Sequence, residues 1–228
     1  MCGRYTLALE HEQLLLRLGF EPFEFEFHPR YNIAPMQQAP VVAIRDGERA
    51  LSNMRWGLVP SWAKDEKMAA RMINARAETV AQKPSFKRSL RTRRCLVPAT
   101  GYFEWKELLE SRPTRKVKAP MYFAVRGGEP FSFAGLWDHW RRFDGKEVES
   151  FAIITTEPNE LSRPIHDRMP VILRPEDEAK WLDQENDDIA GLVALLRPYR
   201  SDEMAVYEVS AFVNSPRNDS PQCIAPVT

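Results

Sequence analysis

The second residue of the chain is a cysteine, and that position offers a chemistry no internal cysteine has. Once Met1 is removed, Cys2 presents an α-amine and a thiol on adjacent carbons. Their reference pKa values, about 7.7–8.0 and about 8.5, leave both with a nucleophilic fraction at neutral pH. An aldehyde condenses with the amine to an imine, and the thiol then closes a five-membered ring on the same carbon. Gly3 directly after it lets the terminus turn tightly into a cleft. Taken alone, Cys2 is more simply an idle cysteine, since such residues are common.

Three further residues are suited to serving that reaction. Glu104 lies between Phe103 and Trp105, and an aromatic surround raises a carboxyl pKa toward the range where it moves protons near neutral pH. The competing reading is a strand glutamate facing out between two inward aromatics. His166, followed by Asp167 and Arg168, supplies a neutral imidazole able to deliver a proton near pH 7. It is equally a structural histidine in a loop after Pro164, and Asp167 suits orienting something adjacent, or points away from His166 if the segment is a strand. Asn74 both donates and accepts, so it suits positioning a thiol, an amine or a hydroxyl, or simply making a turn. Arg4 and Arg76 suit bidentate phosphate contacts, or surface ion pairs of little worth. Trp62 and Trp105 are candidates for stacking on bases, whereas Trp56 before Gly57 reads as core. His11, His28 and His139 have no comparable context. Cys95 and Cys223 sit among apolar neighbours and read as buried thiols.

The elements that must position these residues are short. Eighteen prolines are spread along 228 residues, which argues for many turns rather than a helical bundle. Leu14, Leu15, Leu16 and Leu18 after Glu10 predict an early helix. Residues 41–44, 121–125, 131–136, 151–155 and 205–209 predict strands, and Gly127-Gly128 between two of them reads as a hairpin turn. Pro175 opens a helix, and 187–196 predicts another. The expectation is an α+β fold: a single domain over 1–228, built on a mainly antiparallel, barrel-like β-sheet with flanking short helices.

Periodicity does not account for several dense clusters: Met1-Cys2-Gly3-Arg4-Tyr5, Arg30-Tyr31-Asn32-Ile33-Ala34-Pro35, the run from Arg55 to Trp62, Ile73-Asn74-Ala75-Arg76-Ala77-Glu78-Thr79, Arg94-Cys95-Leu96-Val97-Pro98, Gly101-Tyr102-Phe103-Glu104-Trp105 and the run from Ile165 to Leu173. As an ordered set these closely resemble the SRAP family, the SOS-response-associated peptidase proteins. The resemblance implies recognition of abasic sites in single-stranded DNA and a thiazolidine joining the N-terminal cysteine to the ring-opened sugar. It implies active-site roles for Cys2, Asn74, Glu104 and His166, phosphate contacts from Arg4 and Arg76, and a DNA cleft lined by the segments holding Trp62 and Trp105. Thr100, Gln222, Pro158 and Pro164 depart from the family pattern without touching the four active-site positions.

The chain's net charge of zero hides a polarity. Lys83, Lys87, Arg88, Arg91, Arg93 and Arg94 lie in a stretch without acids, Arg112, Arg115, Lys116, Lys118 and Arg126 follow, and the acids gather between Glu176 and Asp188. That suggests one basic and one acidic face, or simply solvated loops. No apolar run reaches the roughly 20 residues of a membrane span, and the first twenty residues lack the order of a signal peptide. Three cysteines without a CxxC spacing point neither to a disulfide framework nor to zinc. The expectation is a cytoplasmic monomer, nucleoid-associated when on DNA, without membrane contact, metal or cofactor. A cysteine (auto)peptidase using Cys2, with His166 and Glu104 or Asn74, and a non-covalent single-strand-binding module are the competing functions.

Overall fold

The computed structural model describes residues 2–25, 27–108 and 117–227. In chain order the strands are β1 (Tyr5–Leu7), β2 (Arg30–Ile33), β3 (Gln38–Arg45), β4 (Glu48–Trp56), β5 (Asn74–Arg76), β6 (Arg94–Ala99), β7 (Gly101–Leu108), β8 (Val117–Val125), β9 (Phe131–Arg141), β10 (Glu147–Thr156), β11 (Met169–Pro170), β12 (Ile172–Leu173) and β13 (Met204–Glu208). The α-helices are α1 (His11–Leu18), α2 (Pro84–Thr92), α3 (Pro175–Leu182) and α4 (Ile189–Ala194).

One sheet runs β13-β8-β7-β1-β2. In the other, β4, β3, β6, β9 and β10 pair in sequence, and β10 returns to β4, so these strands close on themselves. The closing pair is parallel and short, Ser150 opposite Arg55 and Phe151 opposite Trp56. Closure removes the edges an open sheet would expose. The fold is thus α+β with a barrel-like, mainly antiparallel sheet and short helices.

The core lies between and within the two sheets. Tyr5, Trp56, Tyr102, Phe123, Phe133 and Phe151 are fully buried in one cluster. Trp56 stacks parallel to Phe151 and meets Tyr5 edge-on, and its indole N–H donates to Ile73 O. Truncating such a residue typically costs about 3–5 kcal/mol.

Each strand expected from the sequence falls on an observed one, with residue 209 continuing β13 only as an isolated bridge to Pro226. The early helix is α1, closed by Gly19 in a left-handed conformation. The helix expected over 187–196 is shorter, because Asp188 caps it through Gly191 N. Gly127-Gly128 makes no hairpin. β8 pairs with β7 and β13, whereas β9 pairs with β6, β10 and β12. The two glycines, at φ 82° and 74°, instead carry the chain from one sheet to the other. The β3–β4 hairpin turns at Asp46-Gly47, also at positive φ, a turn dipeptide in plain view in the sequence.

Lys83, Lys87, Arg88 and Arg91 are exposed on or beside α2, but not every cation of the basic stretch is at the surface. Arg94 is buried, and its guanidinium donates to the carbonyls of Leu90, Arg91, Trp181 and Asp183, closing the end of α2 against α3. Arg93 pairs with the buried Asp138. Lys118 pairs with Glu107, and Arg126 donates to Met204 O. Arg112, Arg115 and Lys116 lie outside the described residues. No helix among the described residues is long and apolar enough to cross a membrane.

Candidate active site

Cys2 leads into β1, and just before that strand Arg4 O accepts from Phe103 N, so the start of the chain is laid against β7. The Cys2 side chain is fully buried and belongs to the main core cluster. Burial, followed by the negative field of Glu104, pushes its thiol pKa far up.

β5 brings Asn74 to the same place. It pairs in parallel with β10, Asn74 opposite Ile153. Asn74 Nδ2 donates to the Cys2 carbonyl at 2.8 Å, while its Oδ1 is buried without a hydrogen-bond partner among the described residues. The amide therefore fixes the backbone of Cys2 and keeps an acceptor in reserve.

Glu104 sits in β7. Alternation puts Tyr102 and Glu104 on one side of the strand, Phe103 and Trp105 on the other. Tyr102 belongs to the same cluster as Cys2, and Phe103 packs with Trp105 in a second cluster. Both sides are covered here, so Glu104 is 3% exposed rather than a solvated strand residue. Burial pushes its carboxyl up to about 7. That places it in the range suited to moving protons near neutral pH.

His166 comes from a turn, not a strand. Asn159 organises it: Asn159 Oδ1 accepts from Ser162 N and Oγ, its Nδ2 donates to Tyr199 O, and Ser162 O accepts from His166 N. Nε2 of His166 lies 3.9 Å from Glu104 Oε2. Nδ1 accepts from Arg168 N at 3.0 Å and is 2.9 Å from Asp167 Oδ1. The turn lets Asp167 fold back onto its neighbour, which the strand argument did not foresee. A neutral Nδ1 that accepts from Arg168 N puts the ring proton on Nε2, toward Glu104, whereas a hydrogen bond from Nδ1 to Asp167 belongs to the other tautomer. Burial lowers the imidazole pKa, keeping the ring neutral near pH 7.

The same turn is tied to the Asn74 strand. Arg168 forms a bidentate pair with Glu78 at 2.7 and 2.9 Å and donates to Thr155 O. Such forks fix geometry as well as charge. Arg168, Glu78 and Asn159 are the supporting residues that the sequence reading passed over. Arg168 and Glu78 stood inside the quoted motifs, whereas Asn159 carried no signal beyond Pro158.

The remaining candidates surround this group differently. Arg76 is exposed at the end of β5. Arg4 is half-buried, donates from Nη1 to Asn32 Oδ1 and Val213 O, and lies 5.7 Å over the ring of Trp105. Trp105 itself donates to Asn214 Oδ1, on the face of β7 away from Glu104. Trp62 is 56% exposed in the connection between β4 and β5. Cys95 and Cys223 are buried thiols. Among the described residues no group of three or more His, Cys, Asp or Glu is arranged to hold a metal ion.

Comparison with known proteins gives a consistent result. The chain is 45% identical over 226 residues to the abasic site processing protein YoqW of Bacillus subtilis (strain 168), covering 98% of this chain and 99% of the relative. It is 35% identical to the abasic site processing protein HMCES of Gallus gallus, covering all of this chain and 78% of that one. A crystal structure of a protein from Bacteroides thetaiotaomicron matches over the full length of both chains, with a TM-score of 0.85 and 30% identity. The pattern of the family described as SOS response associated peptidase (SRAP) matches residues 1–216, and the chain belongs to that family.

Proposed function

We propose that this protein processes abasic sites in single-stranded DNA by joining them covalently to Cys2 after Met1 is removed. The convergence of Cys2, Asn74, Glu104 and His166 carries the reading, with Glu104 poised at about 7. The names of the relatives, abasic site processing proteins, support the same substrate.

An abasic sugar is mostly a closed lactol. The Nε2 proton of His166 serves its ring oxygen, and opening yields the aldehyde. Ionised Glu104 takes a proton from the Cys2 ammonium, and the free amine adds to the aldehyde carbon. Protonated Glu104 then returns a proton to the carbinolamine hydroxyl, which leaves as water to give the imine. The thiol adds across C=N: an S–C bond forms, the S–H proton passes to nitrogen, and the ring closes. The balance is one aldehyde plus one aminothiol giving one thiazolidine and one water. Asn74 holds the Cys2 backbone so that thiol and amine face one carbon. Arg76, and Arg4 beside Trp105, hold the strand's phosphates.

The thiol's raised pKa favours this over a cysteine peptidase acting in trans, which depends on a resting thiolate. Ring closure needs only a neutral thiol adding to an activated imine. Autocatalytic loss of Met1 remains compatible with the order of residues, since the Met1–Cys2 bond directly precedes the thiol.

A denaturing gel of the protein with abasic single-stranded DNA tests the reading. A heat-stable shifted band is expected. Binding without a stable band would mark a non-covalent module, and cleavage of a peptide in trans would mark a peptidase.

A further inference from the structure

The connection from β4 to β5 is a loop closed at its base by Leu58 N donating to Met72 O. Gly57, at φ 128°, enters it so close to Ala69 that a Cβ would lie 2.8 Å from Ala69 O. Trp62 is at its outer part. β9 clamps the loop on both sides of Trp62: the buried Asp138 accepts from Ser61 N at 2.8 Å, and the Trp140 indole donates to Ala63 O at 2.7 Å. Val59, Ala63, Ala69 and Trp140 form a small core beneath it. Glu66 then reaches Arg55 at 2.7 Å and Lys146, in the turn between β9 and β10, at 3.8 Å. The Trp62 loop and the β9–β10 hairpin are therefore one packed unit.

At the tip of that unit Phe143 is 94% exposed. The turn is fixed by Arg142 N donating to Lys146 O and by Gly145 N donating to Arg142 O. Arg142 lies 5.3 Å over the Phe143 ring. From 141 to 147 three cations (Arg141, Arg142, Lys146) stand against two acids (Asp144, Glu147). Arg141 reaches Glu147 at 3.6 Å and Arg142 reaches Asp144 at 3.4 Å, both in solvent, where such pairs are weakly held and readily exchanged. A single exposed ring among solvent-exposed cations is a poor protein-docking surface, which needs an apolar centre. It fits a single strand, whose bases stack on aromatic rings while its phosphates meet cations.

We propose that the β9–β10 hairpin tip is a second single-strand contact, in which Phe143 stacks on a base several nucleotides from the lesion and Arg141 and Arg142 hold the adjoining phosphates. The proposal rests on the reading of the site as an abasic-DNA site. Ile153 stands opposite Asn74, and β10 starts six residues earlier at Glu147. At about 3.3 Å per residue this is roughly 20 Å, or about six nucleotides at the stacked spacing of about 3.4 Å.

The test uses the full chain with two single-stranded oligonucleotides carrying a tetrahydrofuran analogue of the abasic site, which binds without crosslinking. One has about two flanking nucleotides on each side and the other about ten, on either side of the span given by that spacing. Phe143→Ala is expected to weaken binding of the long strand roughly tenfold, the loss of one stacked base. It leaves the short strand unaffected, and Phe143→Trp restores the long one. Making the flanks double-stranded should remove the difference between wild type and Phe143→Ala. Equal binding of the long strand by both proteins overturns the proposal. So does loss of a protein dimer in Phe143→Ala, by sedimentation, with DNA affinity unchanged. Crosslinking of wild type to a short strand with a true abasic site separates the two readings: if it fails, the site assignment fails, and if it succeeds without any length effect, only the hairpin contact fails.

Discussion

Nε2 of His166 lies 3.9 Å from Oε2 of Glu104, and the backbone N–H of Arg168 bonds the other ring nitrogen. The pair thus sets an imidazole beside a buried carboxyl whose charge reaches the Cys2 thiol. Burial raises the carboxyl pKa to about 7 and lowers that of the imidazole.

Glu104→Gln removes the proton shuttle and keeps the shape. Crosslinking should slow by about 10² to 10⁴, with little change in binding of the tetrahydrofuran analogue. Single-turnover gel kinetics beside fluorescence anisotropy separate the two. An unchanged crosslinking rate would take Glu104 out of the chemistry. His166→Ala should also slow the reaction, most where sugar opening limits it.

The same substitution has a signature in stability. The folded pKa of Glu104, about 7, exceeds its ordinary 4.5, so the folded state binds the proton more tightly than the unfolded one. Ionising it in place opposes folding, a penalty that is absent below about pH 4.5, grows as pH rises and levels off above about 7. Glu104→Gln should therefore be more stable than wild type at pH 8, by on the order of a few kcal/mol, with the gain shrinking toward pH 4.5. Urea unfolding at both pH values checks the sign. A gain independent of pH would contradict it.

Arg76→Glu should weaken binding to single strands and reduce its salt dependence, because phosphate contacts release counterions. Titrations from low to high salt read the slope directly. Arg94→Ala is expected to behave oppositely. It should cost roughly 2–4 kcal/mol of stability, since several carbonyls lose a charged donor, and leave the salt slope alone. A changed slope in Arg94→Ala would return that residue to the DNA surface.

That contrast shows what the sequence could disclose. Arg76 and Arg94 look alike in a list of cations, and only the packing of α2 against α3 shows that Arg94 closes a helix end. Gly127-Gly128 carries a turn signal, but nothing local tells which sheet β9 will join. The β10 strand was legible because 151–155 is a compact buried apolar run, whereas β13 was legible from its β-branched and aromatic residues although it is only half-buried. Cys2 and Glu104 stand out in the sequence as candidates, the first from its place behind Met1 and the second from its aromatic neighbours, and the fold brings them together. The burial that tunes Glu104 was not legible, since an alternating strand leaves either face free to be the wet one. Of the two readings of Asp167, the contact with His166 is the one found, because the segment after Asn159 turns instead of running as a strand.

Replacing Cys2 with Ala, with Met1 still removed, separates its two nucleophiles. The amine survives and forms an imine, but no ring can close, so the heat-stable adduct should vanish while borohydride still traps one. The imine also acidifies the neighbouring sugar carbon, so this variant should nick strands that the wild type leaves whole. A heat-stable band without reductant, or no trapping when binding and the free amine are both confirmed, would rule out the imine step.

The most direct measurement is the intact mass of the wild-type adduct with an abasic single strand, followed by peptide mapping. The account predicts a mass equal to the protein lacking Met1 plus the strand minus one water, stable without reductant, with the strand on Cys2 and no free thiol there. An adduct that retains Met1, or that maps to any other residue, would contradict it.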